Sequence, residues 1–442
     1  MANFIVALAT PPLRSALALI RLSGEGVFEA TDTLFSKKVS GVGKRESFVG
    51  VLKEKDSLLD QVVLLAYPAL HSPTGEDSVE IICHGSPLIA DEIISAYIRQ
   101  GGRLATRGEF TCRSFYNGKM DLIEAESVND LINATNTESK NLSLMAALGK
   151  TSSLVLPLKT SLADLLSLIE VNIDYPEYTD IEEANEKKIV ESIDTILIEL
   201  TTLIRKAEEG KIVKDGLKVA LAGEPNVGKS SLLNAFLQKD KAIVSDIPGT
   251  TRDVVEGEVS IRGLHFIFLD TAGIRQGAGS IEEMGIKKSE ESIKEADIVL
   301  LVSDARTKEG LEDQRIKELA KDKILIEVHN KSDLISNEKR SGLYVSALRK
   351  DIDPLIDEIF SSIGLSPEAF REPSLCNARE IGLLKQIHGF LLEARCDASN
   401  ALPIDLVSVN LMSAYNACRE LLGEGATNDL TDEVFSRFCV GK

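Results

Sequence analysis

The stretch Gly223-Glu224-Pro225-Asn226-Val227-Gly228-Lys229-Ser230 places two glycines, a lysine and a hydroxyl at the spacing GxxxxGKS. Those residue types suit a nucleotide's phosphates. Glycines let backbone amides converge on phosphate oxygens, the Lys229 ammonium reaches the β and γ phosphates, and Ser230 is a Mg²⁺ ligand. The string follows the strand-like "LKVALA" and precedes the helical "SLLNAFL", so a helix N-terminus adds partial positive charge. Three further pieces follow in order. "PGTTRD" offers Thr251 as a second Mg²⁺ ligand, "DTAG" ends a strand with Asp270 near the metal and Gly273 near the γ phosphate, and "NKSD" ends another. The Asp333 carboxylate can accept from both N1–H and the exocyclic amine of guanine, a pair that adenine lacks. Asn330 and Lys331 line the same pocket, and Ser346-Ala347-Leu348 supplies backbone N–H to the guanine oxygen. The chemistry expected is guanine-nucleotide binding and phosphate cleavage.

How the phosphate is cut is less direct. Ile274 follows "DTAG" where Ras-like enzymes place the glutamine that orients water, and an aliphatic side chain cannot orient a nucleophile. Either an external group supplies the charge, or a nearby residue serves; Glu282 and Glu283 in "SIEEMG" are the candidates.

These motifs need a scaffold. From Leu217, "LKVALAG", "LHFIFLD", "DIVLLVSD" and "KILIEVHN" are short continuous apolar runs of the kind a parallel sheet covered on both faces contains. A doubly wound α/β domain over 211–372 is expected. Residues 1–118 alternate strand-like runs ("FIVALAT", "SALALIRLSG", "ESFVGVL", "DQVVLLAYPA", "SVEIICHG") with one helix, "PLIADEIISAYIRQ", and predict an α+β domain. Helical periodicity then runs through Leu158, Leu162, Leu165 and Ile169 and through Ile189, Ile193, Ile196, Leu200 and Leu203, and resumes after Pro373. Residues 119–210 with 373–442 therefore read as a helical domain into which the α/β unit is inserted.

Composition narrows the class. At 442 residues the chain exceeds one core. No apolar run approaches the roughly 20 residues that span a bilayer, and the opening does not read as a secretory signal, so a cytoplasmic protein is expected. Six cysteines without a CxxC pair read as reduced thiols. A net charge of −19 excludes a chain that wraps nucleic acid over its whole surface. Residues 119–210 carry 18 acidic against 8 basic side chains, which reads as a solvated helix face or as a surface for a basic partner.

"PNVGKSS", "IPGTTRD" and "DTAGIR" in one domain, with "ATPP", "RLSG", "TGED", "GEF" and "NGKMDLIEAE" before it and "FCVGK" at the end, resemble the MnmE (TrmE) family of tRNA modification GTPases along essentially the whole chain. The resemblance implies nucleotide contacts from Asn226, Val227, Gly228, Lys229, Ser230, Ser231, Ser245, Asp246, Ile247, Pro248, Gly249, Thr250, Thr251, Asp270, Thr271, Ala272, Gly273, Asn330, Lys331, Asp333, Ser346, Ala347 and Leu348. It implies K⁺ held by Asn226, Ser245, Ile247 and Thr250 in place of an arginine finger, with Glu282 as the water-orienting catalytic residue. It also implies a site for 5,10-methylene-tetrahydrofolate, or 5-formyl-tetrahydrofolate as its analogue, at Arg21, Glu80, Lys119 and Lys442. Partners implied are a second copy, a flavoprotein called MnmG in a heterotetramer, and tRNA held mostly by that flavoprotein.

On this resemblance "FCVGK" packs Phe438 and Val440 into a domain interface and delivers Cys439 and Lys442 to the one-carbon carrier; Cys439 is catalytic or simply a small buried hydrophobe. Leu13, Ser86 and Arg107 depart from the family's pattern near the folate site. The expected activity is GTP hydrolysis coupled to modification at carbon 5 of the wobble uridine. Two alternatives stay open: a regulatory GTPase in RNA or ribosome assembly without carbon transfer, and a scaffold that binds GTP with little turnover.

Overall fold

The computed structural model describes residues 3–175, 185–239, 255–269, 290–307, 310–335, 342–426 and 428–442. Their contacts form two compact units, Met1–Ile132 with Ala146–Val190 and Phe390–Lys442, and Asn133–Met145 with Glu191–Gly389.

In the first unit β1 (Asn3–Leu8), β2 (Leu17–Glu25), β3 (Glu46–Glu54), β4 (Ser57–Tyr67), β5 (Ser78–His84) and the short β6 (Arg103–Leu104) make one sheet in the order β3-β4-β5-β2-β1-β6. The period of two divides its faces. One row (Ile20, Leu22, Val62, Leu64, Val79, Ile81) is buried with residues of α1 (Val27–Leu34) and α2 (Pro87–Arg99). The opposite face is covered at β1 by Phe110 of α3 (Glu109–Tyr116), which packs on Ile5 and Ala7. Farther across that face Val49, Val63, Ile82 and Leu19 lie side by side in register; Val49 and Val63 are exposed. Two of the three helices, α1 and α3, lie outside the single helix expected of this segment.

The same unit holds α4 (Leu122–Asn133), α6 (Leu156–Asp174), α12 (Ile404–Leu421) and α13 (Asn428–Ser436). The expected stripe on α6, Leu158, Leu162, Leu165 and Ile169, is buried, and α6 packs on α12, which buries Val407, Leu411, Ala414 and Cys418. Burying each such Leu stabilises by about 2 kcal/mol. Two long helices, α7 (Glu186–Asp215) and α11 (Ala378–Ser399), run from one unit into the other. In the second unit Leu142 of α5 (Thr137–Ala147) packs with Val213 of α7 and Ala369.

The second sheet contains β7 (Leu217–Ala222), β8 (Val255–Ile261), β9 (Leu264–Leu269), β10 (Ile298–Asp304), β11 (Ile324–Asn330) and β12 (Leu343–Tyr344), in the order β12-β11-β10-β7-β9-β8. Apolar clusters lie on both its faces, with α8 (Lys229–Leu237) and α10 (Asp353–Ile363) contributing to one and α9 (Leu311–Leu319) to the other. One strand departs from the all-parallel expectation. β8 runs antiparallel to β9 through a two-residue turn, Arg262 (φ 53°) and Gly263 (φ 85°), whose paired positive φ values match the twist of a hairpin. All four apolar runs ending near the motifs are parallel, so their C-terminal ends gather on one edge. Open α/β sheets bind ligands at that edge.

Candidate functional site

β7 ends at Ala222 and the chain turns through 223–228 into α8. The helix is capped by Gly228 in a left-handed conformation (φ 100°), where a Cβ would come within 2.3 Å of Asn330 Nδ2. A side chain there would collide with Asn330 at the end of β11, so the spacing requires glycine. Lys229 Nζ donates to Gly223 O (2.6 Å) and Glu224 O (2.9 Å), curling the ammonium over the hollow of its own loop. Helix-end amides, a lysine and glycines at both ends of the loop make a cradle for phosphate.

β11 delivers the other half. Asn330 is buried, its Nδ2 donates to Val227 O (3.0 Å), and its Oδ1 accepts from Ala347 N (3.1 Å). It therefore braces the phosphate loop against 345–348. Lys331, left-handed at φ 64°, donates from Nζ to Asn226 O (2.7 Å). Ser346 Oγ donates to Asp333 Oδ1 (2.5 Å), and this bond holds the Asp333 carboxyl below its ordinary range. Ala347 is buried and Leu348 exposed. Asp304, which sequence reading passed over, ends β10 in register with Asn330 and pairs with Lys331 (2.9 Å). Its signal was available: an acidic residue at the C-terminal end of a parallel strand. Ser245–Thr251, Asp270–Gly273 and Glu282 lie outside the described residues.

The brace has a measurable consequence. Asn330→Ala strands Val227 O and Ala347 N, and leaving a buried polar group unpaired costs about 1–3 kcal/mol. Calorimetry on nucleotide-free protein is expected to show the α/β transition several degrees lower, and an unchanged transition would refute the brace.

A second constellation lies in the first unit. Arg21 and Glu80 are direct cross-strand partners; Arg21 Nε donates to Glu80 Oε1 (2.9 Å) and Arg21 Nη1 to Gly441 O (3.2 Å). Its guanidinium stands 5.8 Å from the Phe110 ring centre, and Tyr67 Oη donates to Glu80 Oε2 (3.2 Å). Burial, and then Glu80, push the Tyr67 phenol up. The tail is fastened by its backbone: Phe110 N donates to Lys442 O (3.1 Å), Gly108 N to Cys439 O (3.3 Å), and Val440 bridges Arg107. At Gly441 (φ 90°) a Cβ would sit 2.7 Å from Leu8 O. Burial, and then Arg21, lower the Lys442 ammonium from its usual range. Lys119 is bonded elsewhere, to Leu70 O (3.2 Å), and Cys439 is exposed. Phe438 is buried in a cluster with Leu122, Ala125 and Phe435, against which Cys112 and Phe115 pack, whereas Val440 is half-exposed and bridges Arg107 through its backbone, so its expected packing is corrected.

The tRNA modification GTPase MnmE of Mycoplasma mycoides subsp. mycoides SC is 38% identical over 448 residues, covering 99% of each chain. The chain belongs to the MnmE family. The MnmE of Thermotoga maritima is 38% identical over 451 residues and that of Bacillus subtilis 35% over 458, again over 99% of each chain. The family model described as MnmE helical domain matches residues 122–439, and that of the GTP-binding protein TrmE N-terminus matches 4–119. This MnmE-family chain binds and hydrolyses GTP and acts in tRNA modification. Its fold is an N-terminal α+β domain, a helical domain and an α/β G domain. Among the described residues no helix is long and apolar enough to cross a membrane.

Proposed function

We propose that this MnmE-family chain, working in the cytoplasm with the flavoprotein MnmG, couples GTP hydrolysis to the addition of a carboxymethylaminomethyl-type group at carbon 5 of the tRNA wobble uridine. Its domains are 1–118, 119–210 with 373–442, and 211–372. The observation that carries the one-carbon part is the Arg21–Glu80 pair meeting the carbonyl of Gly441 beside the half-buried Lys442. Two cations against one carboxylate leave a positive excess in a chain of net charge −19, which suits an anionic folate, while Glu80 suits the donor edge of a pterin. Arg21, Glu80 and Lys442 would hold 5,10-methylene-tetrahydrofolate, with Lys119 reaching its glutamate tail; the folate supplies the carbon.

At the phosphates Ser230 and Thr251 would hold Mg²⁺, and Asn226 with Ser245, Ile247 and Thr250 would hold K⁺, which supplies positive charge where other GTPases use arginine. Asn226 offers a neutral side-chain amide oxygen, an acceptor of the kind a monovalent cation takes, in the loop that leads to Lys229. Homodimerisation is supported by the exposed Val49 and Val63, which stand in register with the part-buried Ile82 and Leu19 on the sheet that carries Arg21 and Glu80.

Calorimetric titration of 5-formyl-tetrahydrofolate onto the full chain tests the reading. Saturable binding is expected, weakened at least about tenfold by Glu80→Ala, the size of one lost charge-assisted hydrogen bond. No binding to the unaltered chain would favour a regulatory GTPase without carbon transfer. Equal, negligible GTP turnover in KCl and NaCl would favour the scaffold.

A further inference from the structure

We propose that Asp304 is a positioning residue of the nucleotide site: it fixes the Lys331 ammonium on the Asn226 carbonyl, so that the base-reading loop and the phosphate loop move as one body. The inference rests on the reading of 223–230 and 330–333 as the GTP site.

The contacts form a chain. Lys331 Nζ donates both to Asp304 Oδ2 (2.9 Å) and to Asn226 O (2.7 Å), and so ties the end of β10 to the middle of the phosphate loop. Asp304 is itself immobilised. Arg306 Nε and Nη2 fork onto Oδ1 (2.9 Å) and Oδ2 (2.7 Å), and Arg306 N donates to Oδ1 (3.0 Å). The Asp304 side chain is 8% exposed, and a buried charge persists only where it is paired and hydrogen-bonded. Arg306 first, and also Lys331, hold it far below the usual carboxylate range, so it stays charged at working pH.

The geometry explains why a carboxylate is needed. A lysine side chain has four rotatable bonds and, facing only a carbonyl, would sample many rotamers. A second, charged acceptor selects the one rotamer that spans both loops. Both ends of the span, Asn226 (φ 63°) and Lys331 (φ 64°), are non-glycine residues in the left-handed region, a conformation that persists where surrounding contacts over-determine it. Arg306 occupies the outer edge of Asp304 and leaves Oδ2 shared with Lys331.

The test is dissociation of a fluorescent GDP from the full chain by stopped flow. Asp304→Asn keeps the shape and removes the charge; dissociation is expected to quicken about tenfold, the size of one lost charge-assisted hydrogen bond. In a Lys331→Met background the same substitution is expected to change nothing, because its only route to the nucleotide is gone. Should Asp304→Asn not fold, Arg306→Gln frees one edge of the carboxylate and is expected to act in the same direction, again only while Lys331 is present. Unchanged dissociation in the lysine-bearing chain, or equal acceleration with and without Lys331, would overturn the proposal. Failure of the unaltered chain to bind the GDP probe would instead overturn the site reading beneath it.

Discussion

Asp333→Asn is expected to weaken GTP binding by two to four orders of magnitude and to make xanthosine triphosphate the preferred nucleotide. A carboxylate accepting from guanine N1–H and from its amine makes two charge-assisted bonds of about 1.5–3 kcal/mol each, together about 10²–10⁴ in affinity. The structure adds the orientation. Ser346 Oγ already donates to Asp333 Oδ1, and Ser346 is buried, so an amide at 333 keeps its oxygen on that hydroxyl and turns its NH₂ toward the base. Guanine's amine would then meet a donor, whereas xanthine's carbonyl would meet a partner. Initial rates with GTP, ATP and xanthosine triphosphate decide it; a variant that still prefers GTP removes Asp333 from base selection.

Much of this site was legible because each motif ends a strand. "LKVALAG", "DIVLLVSD" and "KILIEVHN" are apolar runs of strand length, and burying them on two faces brings their C-terminal ends to one edge. Gly228, Lys229, Asn330 and Asp333 meet there in the structure. What escaped was of two kinds. Short elements carry too few residues to show a period: α1 and α3 have eight residues each and follow left-handed glycines, Gly26 and Gly108, with no side-chain cap to announce them. The β8–β9 hairpin turns on Arg262-Gly263, and arginine is not a residue one expects at positive φ.

Contacts between distant residues were the second kind. Arg21 and Gly441 stand 420 positions apart; the resemblance implies that Arg21 and Lys442 share a site, but no local pattern reports that the guanidinium bonds the Gly441 carbonyl. Val440 shows the same limit from the other side. Its apolar side chain suggested burial, but the tail is held through main-chain bonds to Gly108 and Phe110 and the Arg107 bridge, which leave that side chain half in water. Asn330 was expected in the pocket wall, and its geometry makes it a strut between two loops.

Removing residues 439–442 should abolish tRNA wobble-uridine modification while leaving GTP turnover within about twofold, because the nucleotide cradle is built from Gly228, Lys229, Asn330 and Asp333 and takes no part from the tail. The truncation strips Arg21 of the Gly441 carbonyl, Phe110 N and Gly108 N of their acceptors, and the site of its second cation. Losing one partner of a buried charged hydrogen bond costs about 1–3 kcal/mol or more, so folate affinity is expected to fall at least tenfold. The pH dependence gives the sign of Lys442's part. Burial and the Arg21 charge lower its pKa, so the ammonium discharges at lower pH than an ordinary lysine, and affinity for an anionic folate should weaken as pH rises from neutral toward the alkaline. Lys442→Met should bind less tightly at neutral pH and lose that slope. Cys439→Ser separates chemistry from attachment, since the backbone bond from Gly108 N to Cys439 O survives it: retained folate binding with no modified nucleoside would make the exposed thiol a reacting group, and full modification would make it dispensable. Nucleoside analysis of tRNA from cells carrying each variant, beside calorimetry on the purified chains, reads all three, and a normal wobble-uridine profile in the truncated chain would end the claim that the tail completes the one-carbon site.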